Sequence, residues 1–305
     1  MALECAAEPT PTVFVVGAGA MGAALGRQLV RAGVPVLGLH GRRAPESNEA
    51  AGRASAGGVS GALVTFGPLP PLVSQADVVI VAVRDVDVPG VAQELRAQGR
   101  TSPRQVILHT SGSRSARDLL GTLAGQVEGI GTLHPLVSVT GAPGTEDNLA
   151  GAACALEGDE PAVAMGKRLV RLIGGRPLRL AADRMALYHA GAVFASNYVA
   201  ALADVARGVL VAAGVSEEDA QPALWPLLAS VVRNLEAVGL PGGLTGPVVR
   251  GDVTAVERHL EALARGMPGQ LELYQRLGRE TLRLAQTRPD GPPSEVARRL
   301  SELLG

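Results

Sequence analysis

Aromatic side chains are scarce in this 305-residue chain: Phe, Trp and Tyr together make up 2%. Stacking platforms for single-stranded nucleic acid are built from such rings, so that class of function is disfavoured. A basic surplus is also missing. The 28 Lys and Arg residues face 29 Asp and Glu, for a net charge of −1, whereas nucleic-acid binders carry an excess of positive charge. Two cysteines, Cys5 and Cys154, cannot build a disulfide framework or a Cys-rich zinc site. A reduced, cytoplasmic setting fits that usage. No HxH or HExxH spacing occurs, and no metal is expected. Lysine occurs once, at Lys167, so the other 27 basic residues are arginines. Residues 1–12 have no basic start and no continuous apolar run, and do not read as a signal peptide. One long uncharged stretch exists, Met185–Ala203. It reaches the length of a membrane span. However, it contains Tyr188, His189, Ser196, Asn197 and Tyr198, and polar groups are costly inside a bilayer. The stretch is read as a buried helix, with no membrane partner.

What is present is a large apolar content, 47% of residues, enough for a substantial core. The length favours two domains. In the first half, short β-branched runs alternate with helical patterns. Strands are predicted at Thr12–Val16, Pro35–Leu39, Ala62–Phe66, Asp77–Val83, Gln105–His109 and Gly129–Leu133. Helices are predicted at Met21–Arg31, Val86–Ala97 and Ala116–Leu123. Ala153–Glu157, a helix Pro161–Ile173 and Pro177–Leu180 extend or close the same sheet. After Ala182 the strand signals stop. Helical runs follow at about 185–213, 217–238, 252–265, 269–286 and 294–304. The fold class is therefore α/β: an N-terminal doubly wound Rossmann domain, 1–182, followed by an all-α C-terminal domain, 183–305.

The first strand runs into Gly17-Ala18-Gly19-Ala20-Met21-Gly22, a GxGxxG between strand and helix. Gly17 suits the tight turn, Gly19 lets backbone approach a pyrophosphate, and Gly22 lets the helix pack closely. The helix start offers free amides and a positive dipole end to phosphate. A dinucleotide site is expected. The second strand leads to His40-Gly41-Arg42-Arg43, with no acidic residue before Glu46. An Asp or Glu here would bind the ribose hydroxyls of NAD, whereas two arginines suit a 2′-phosphate. NADP is the expected cofactor. The alternative is a pair of solvated arginines. Val83 and Arg84, after the fourth strand, should pass near the cofactor, with Asp85 and Asp87 opening the next helix.

Taken together, GAGAMG, ADVVIVAVRD, HTSGS, GTLHPLVSV, YHAGAVFASNYVAALADVA and LTGPVVRGD resemble a family of Rossmann-like NADP oxidoreductases with a helical C-terminal domain. That family is similar in layout to ketopantoate reductase, pyrroline-5-carboxylate reductase and the β-hydroxyacid dehydrogenases. The resemblance covers nearly the whole chain. It implies a cytoplasmic, dimeric, NAD(P)-binding protein whose active site lies between its domains, and it names no substrate. Several of these relatives use a lysine four residues before an asparagine on the first helix of the second domain. Aligning that asparagine with Asn197 puts Val193 at the lysine position, so this chain departs from the pattern.

Histidine is the available substitute, since it titrates near neutrality. His189 and Asn197 share a helix face with Val193 and Ser196, and could line one cleft or satisfy buried hydrogen bonds. His134 ends a strand, where ligands bind in such sheets. Its His-Pro dipeptide resembles a segment of prephenate and arogenate dehydrogenases that carries their catalytic histidine, paired with a serine from the preceding strand end. Ser111 could supply that serine. The structural alternatives are that His134 caps its strand and that Ser111 or Ser113 caps a helix. Arg250, in a glycine-bracketed loop before Asp252, could bind a substrate carboxylate or form a structural ion pair. Asp252 reads as an N-cap. Two functions remain open. One is hydride transfer on a small carbonyl, imine or hydroxy-acid substrate. The other is a cofactor-binding sensor or scaffold without turnover. Apolar helical stripes favour a homodimer through the C-terminal domain.

Overall fold

The computed structural model describes residues 9–42, 62–141 and 149–305. The chain divides into two compact units, one ending at Ser196 and the other Asn197–Gly305.

The first unit is built on an eight-stranded sheet: β1 Val13–Val16, β2 Val36–Gly41, β3 Leu63–Phe66, β4 Val78–Val81, β5 Val106–His109, β6 Gly129–Pro135, β7 Ala153–Gly158 and β8 Arg176–Arg179. Their order is β3-β2-β1-β4-β5-β6-β7-β8. Every pairing is parallel except β6 with β7, which is antiparallel. Helices α1 Ala20–Arg31, α2 Val88–Ala97, α3 Ala116–Leu120, α4 Glu160–Leu172 and α5 Met185–Ala195 belong to the same unit.

The central strands consist of apolar residues because helices cover both faces of the sheet. Successive side chains of β1 divide between two cores. Val13 and Val15 join Leu25, Leu39, Ile80, Leu108 and Leu133. Phe14 and Val16 join Val79, Val81, Leu95, Ile107 and Ile130. The strand order reverses at β1 and β4, and their carboxyl ends frame the crevice where such sheets bind ligands.

The second unit contains α6 Asn197–Ala212, α7 Glu217–Val238, α8 Pro247–Arg250, α9 Val253–Gly266, α10 Leu271–Ala285 and α11 Ser294–Leu304. Ser216 caps α7 by accepting from the Asp219 amide, and Asp252 caps α9 by accepting from Ala255. Val248, Val256, Leu282, Ala297, Leu300 and Leu304 form its core.

The sequence reading of one helix over 185–213 is corrected here. The helix stops at Ala195 and restarts at Asn197. Ser196 leaves helical geometry at φ −127° and ψ −74°, and its hydroxyl donates back to the Ala192 carbonyl. Such bonding to the preceding turn bends helices. The stretch Ala182–Ala212 is long and apolar enough to cross a membrane by length and composition. The burial expected of this stretch is not seen: of its two helices, only Met185 is buried.

Candidate functional site

Two groups of residues gather at the carboxyl ends of the strands. The first surrounds the glycine loop between β1 and α1. Gly17 has φ +127°, and a Cβ there would lie 2.2 Å from the Ala82 carbonyl oxygen, so no side chain fits. At Gly22 a Cβ would meet the Gly17 carbonyl at 1.8 Å, which is how closely α1 sits on the loop. A Cβ at Gly19 would meet nothing within 4 Å, so its backbone faces open space. Ala18 and Met21 pack their side chains against the core, and Ala20 lies against Gly141. These residues therefore present main chain to a ligand, including the unpaired amides of the first turn of α1.

A cavity of about 460 Å³ opens beside this loop, lined by Gly17, Ala18, Gly19, His40, Arg42, Val83, Arg84 and Asp87 among others. Its size suits a nucleotide-sized ligand. His40 is buried at its wall. Its Nδ1 lies 2.8 Å from the Thr65 hydroxyl and its Nε2 lies 3.0 Å from the Gly67 carbonyl. Burial pushes its pKa below the ordinary value. Asp87 lies between two cations, 2.8 Å from Arg84 Nε and 3.9 Å from Arg42 Nη1. Both guanidinium groups remain largely exposed. Arg43 lies outside the described residues.

The second group forms because β4, β5 and β6 are neighbours. Register pairs Val81 with His109 and His109 with Thr132, so the segments just beyond them meet. The Ser111 hydroxyl donates to Asp85 Oδ2 at 2.6 Å, and the Ser113 hydroxyl donates to the same oxygen at 3.2 Å. Neither serine caps a helix; Ser115 does so for α3, in a reciprocal capping box with Asp118. Asp85 and Asp87 form the turn that opens α2, as expected, though no side chain caps that helix. The Asp85 carboxylate organises the β5 loop.

His134 leaves the end of β6, and its Nδ1 lies 3.1 Å from the Tyr188 hydroxyl of α5. The rings of His134 and His189 stand edge to face, with centroids 5.8 Å apart. Gly112 lies between these rings: a Cβ there would fall 2.6 Å from His189 and 2.7 Å from His134 Nε2. Burial pushes His134 down to about 4; the neighbouring His189 acts in the same direction and Asp85 opposes it. Burial also lifts Tyr188 to about 12. At neutral pH the pair is an uncharged imidazole beside a protonated phenol.

The structure thus brings His134, His189 and Ser111 around Gly112, as the pairing of adjacent strand ends implies, with no direct hydrogen bond between His134 and Ser111. Ser111 is engaged by Asp85, and His134 by Tyr188. Sequence reasoning missed Asp85, Gly112 and Tyr188 as members of this group. The first two were detectable as residues just past adjacent strand ends, and Tyr188 as the neighbour of His189. Asn197 opens α6, and exposed Arg250 ends α8, both in the second unit. Asn197 does not continue the helix that carries His189, because Ser196 interrupts it. Among the described residues, no three His, Cys, Asp or Glu side chains are grouped to hold a metal ion.

Residues 12–111 match the family described as NADP oxidoreductase, coenzyme F420-dependent. That match falls within the Rossmann-like sheet of the first unit. Residues 152–281 match a domain of unknown function, DUF2520. No curated protein matches the sequence. Among solved structures, a Thermotoga maritima protein is similar at 23% identity, over 90% of this chain and 98% of that one, with a TM-score of 0.68. Pyrroline carboxylate reductase from Plasmodium falciparum, solved with NADP bound, aligns at 12% identity over 97% and 98%, with a TM-score of 0.59. An imine reductase from Pseudomonas sp. aligns at 19% identity over 97% and 100%, with a TM-score of 0.52. These identities establish a shared fold: a Rossmann-like domain followed by a helical C-terminal region.

Proposed function

We propose that the protein is an NADPH-dependent reductase of a small compound bearing a C=O or C=N bond. The observation that carries this reading is an uncharged His134, partnered by Tyr188, at the same sheet edge as a glycine loop built for a dinucleotide. The loop fits the cofactor because Gly19 is open and Gly17 admits no side chain. Main-chain amides at Ala18–Gly22 would hold the diphosphate, and Arg42 with Arg43 would hold a 2′-phosphate. NADPH, when bound, supplies a hydride. In this reading His134 acts as a neutral hydrogen-bond donor: the Tyr188 hydroxyl, 3.1 Å away, is assigned as the donor to Nδ1, and the ring proton to Nε2. That proton faces the reacting oxygen or nitrogen as negative charge builds there, a role that neutral imidazole can fill. His134 keeps its proton throughout, and water supplies the one that completes the alcohol or amine. Gly112 keeps the space before the ring clear.

The test is a titration with NADPH and NADH, followed by absorbance-monitored NADPH oxidation with cyclic imines and small α-keto acids. Tighter NADPH binding and turnover that His134→Gln abolishes, with NADPH affinity intact, are the expected results. The sensor or scaffold reading is favoured by the placement of the sole lysine, Lys167, on α4. It predicts NADPH binding with no oxidation across the panel.

The same reading includes a second copy of the chain. α6 and α7 expose Tyr198, Val199, Leu202, Trp225, Leu227, Val231 and Val232. Large apolar side chains left in solvent suit an interface, and light scattering that gives twice the chain mass supports a homodimer.

A further inference from the structure

The β5–β6–β7 part of the sheet is apolar until its last rung. Val106 pairs with Gly129, Ile107 with Ile130, and Leu108 with Gly131, which itself pairs with Gly158. The next rung is His109, Thr132 and Glu157, exposed by 0%, 1% and 7%. Three polar residues side by side in a core are costly unless every group is paired.

They are paired in one direction. The Ser111 amide donates to His109 Nδ1 at 3.1 Å. That nitrogen is therefore bare, and the ring proton sits on Nε2, 3.0 Å from the Thr132 hydroxyl. The hydroxyl in turn donates to Glu157 Oε2 at 3.0 Å. The same oxygen accepts from the Ala116 amide at 2.7 Å. Burial holds the ring uncharged.

We infer that Thr132 and Glu157 are positioning residues: they fix the Nε2–H tautomer of His109, and that ring holds the Ser111–Gly112 backbone on which His134 packs. Asp85 holds the same loop from its side chains, through Ser111 and Ser113. The loop is thereby clamped by its main chain on one side and its hydroxyls on the other. The inference rests on the reading of His134 as the group facing substrate.

The test is ¹⁵N NMR of the histidine rings in the full chain, which has five histidines, with His109→Asn to assign the signal. Hydrogen exchange at the Ser111 amide is measured alongside. The expected result is an Nε2–H ring at His109. Thr132→Val should lose that signature, move the His134 ring signals and speed Ser111 exchange by about tenfold or more. Thr132→Ser and Glu157→Gln, which keep an acceptor and its geometry, should retain all three. A wild-type His109 protonated at Nδ1 overturns the inference, as does a Thr132→Val chain with unchanged Ser111 exchange and unchanged His134 signals. If Thr132→Val does not fold, the wild-type tautomer and the Thr132→Ser chain decide. None of these signals needs NADPH or substrate, so the inference and the reductase reading can fail separately.

Discussion

The two compact units bury their apolar residues very differently. In the first, strands β1, β4 and β5 disappear between two cores, and residues such as Phe14, Ile107 and Leu108 are fully buried. In the second, a modest core lies among α8–α11, while α6 and α7 leave large apolar side chains in solvent. Trp225 is 50% exposed, Leu227 60% and Val232 55%. A sheet with helices on both faces is a finished object. A helix pair that leaves large apolar side chains in water gains stability only when something covers them.

The largest effect that sharpens this contrast is expected at Leu108. Leu108→Ala should cost about 2–5 kcal/mol in urea unfolding, through lost burial and a cavity. Leu227→Ala should change the unfolding of a dilute, uncovered chain by no more than about 0.5 kcal/mol. Next is Val231→Asp, which places a charge on the exposed face. If a second copy covers that face, its dissociation constant should rise by about a hundredfold, nearly 3 kcal/mol, by light scattering or sedimentation. An unchanged constant would show that α7 lies outside the contact.

A third effect belongs to the sheet unit alone. His109 and His134 have folded pKa values of about 4 against an ordinary 6.5. Between pH 6.5 and 4 the unfolded chain takes up protons that the folded rings refuse, so stability falls as the pH drops through that window and is fully present above it. Each ring contributes on the order of 3 kcal/mol. A His109→Gln, His134→Gln chain should lose most of this acid sensitivity in a pH series of denaturation midpoints. The smallest effect is at the cavity. Arg42→Ala should weaken NADPH about tenfold while leaving NADH nearly unchanged, as measured by calorimetry.

These regions also differ in how well the sequence announces them. Each predicted strand lies within about two residues of an observed one, because β-branched runs bounded by turns have few other solutions. The glycine loop was equally legible, since backbone geometry forces its residue types. The second group was not. Asp85, Ser111 and His134 lie on three different strand ends, and only the sheet order makes them neighbours. Their hydrogen-bond pairing depends on rotamers that no spacing reveals. The break at Ser196 was invisible for another reason. It lies in an uncharged stretch without Pro at the break, and a serine hydroxyl bonding to its own helix leaves no breaker signature.

Trp225 on α7 is the only indole in the chain. Ultraviolet emission from that ring therefore reports one position in the second unit. A wet ring emits to the red and a covered ring to the blue, so diluting the unlabelled protein follows the uncovering of α7 optically.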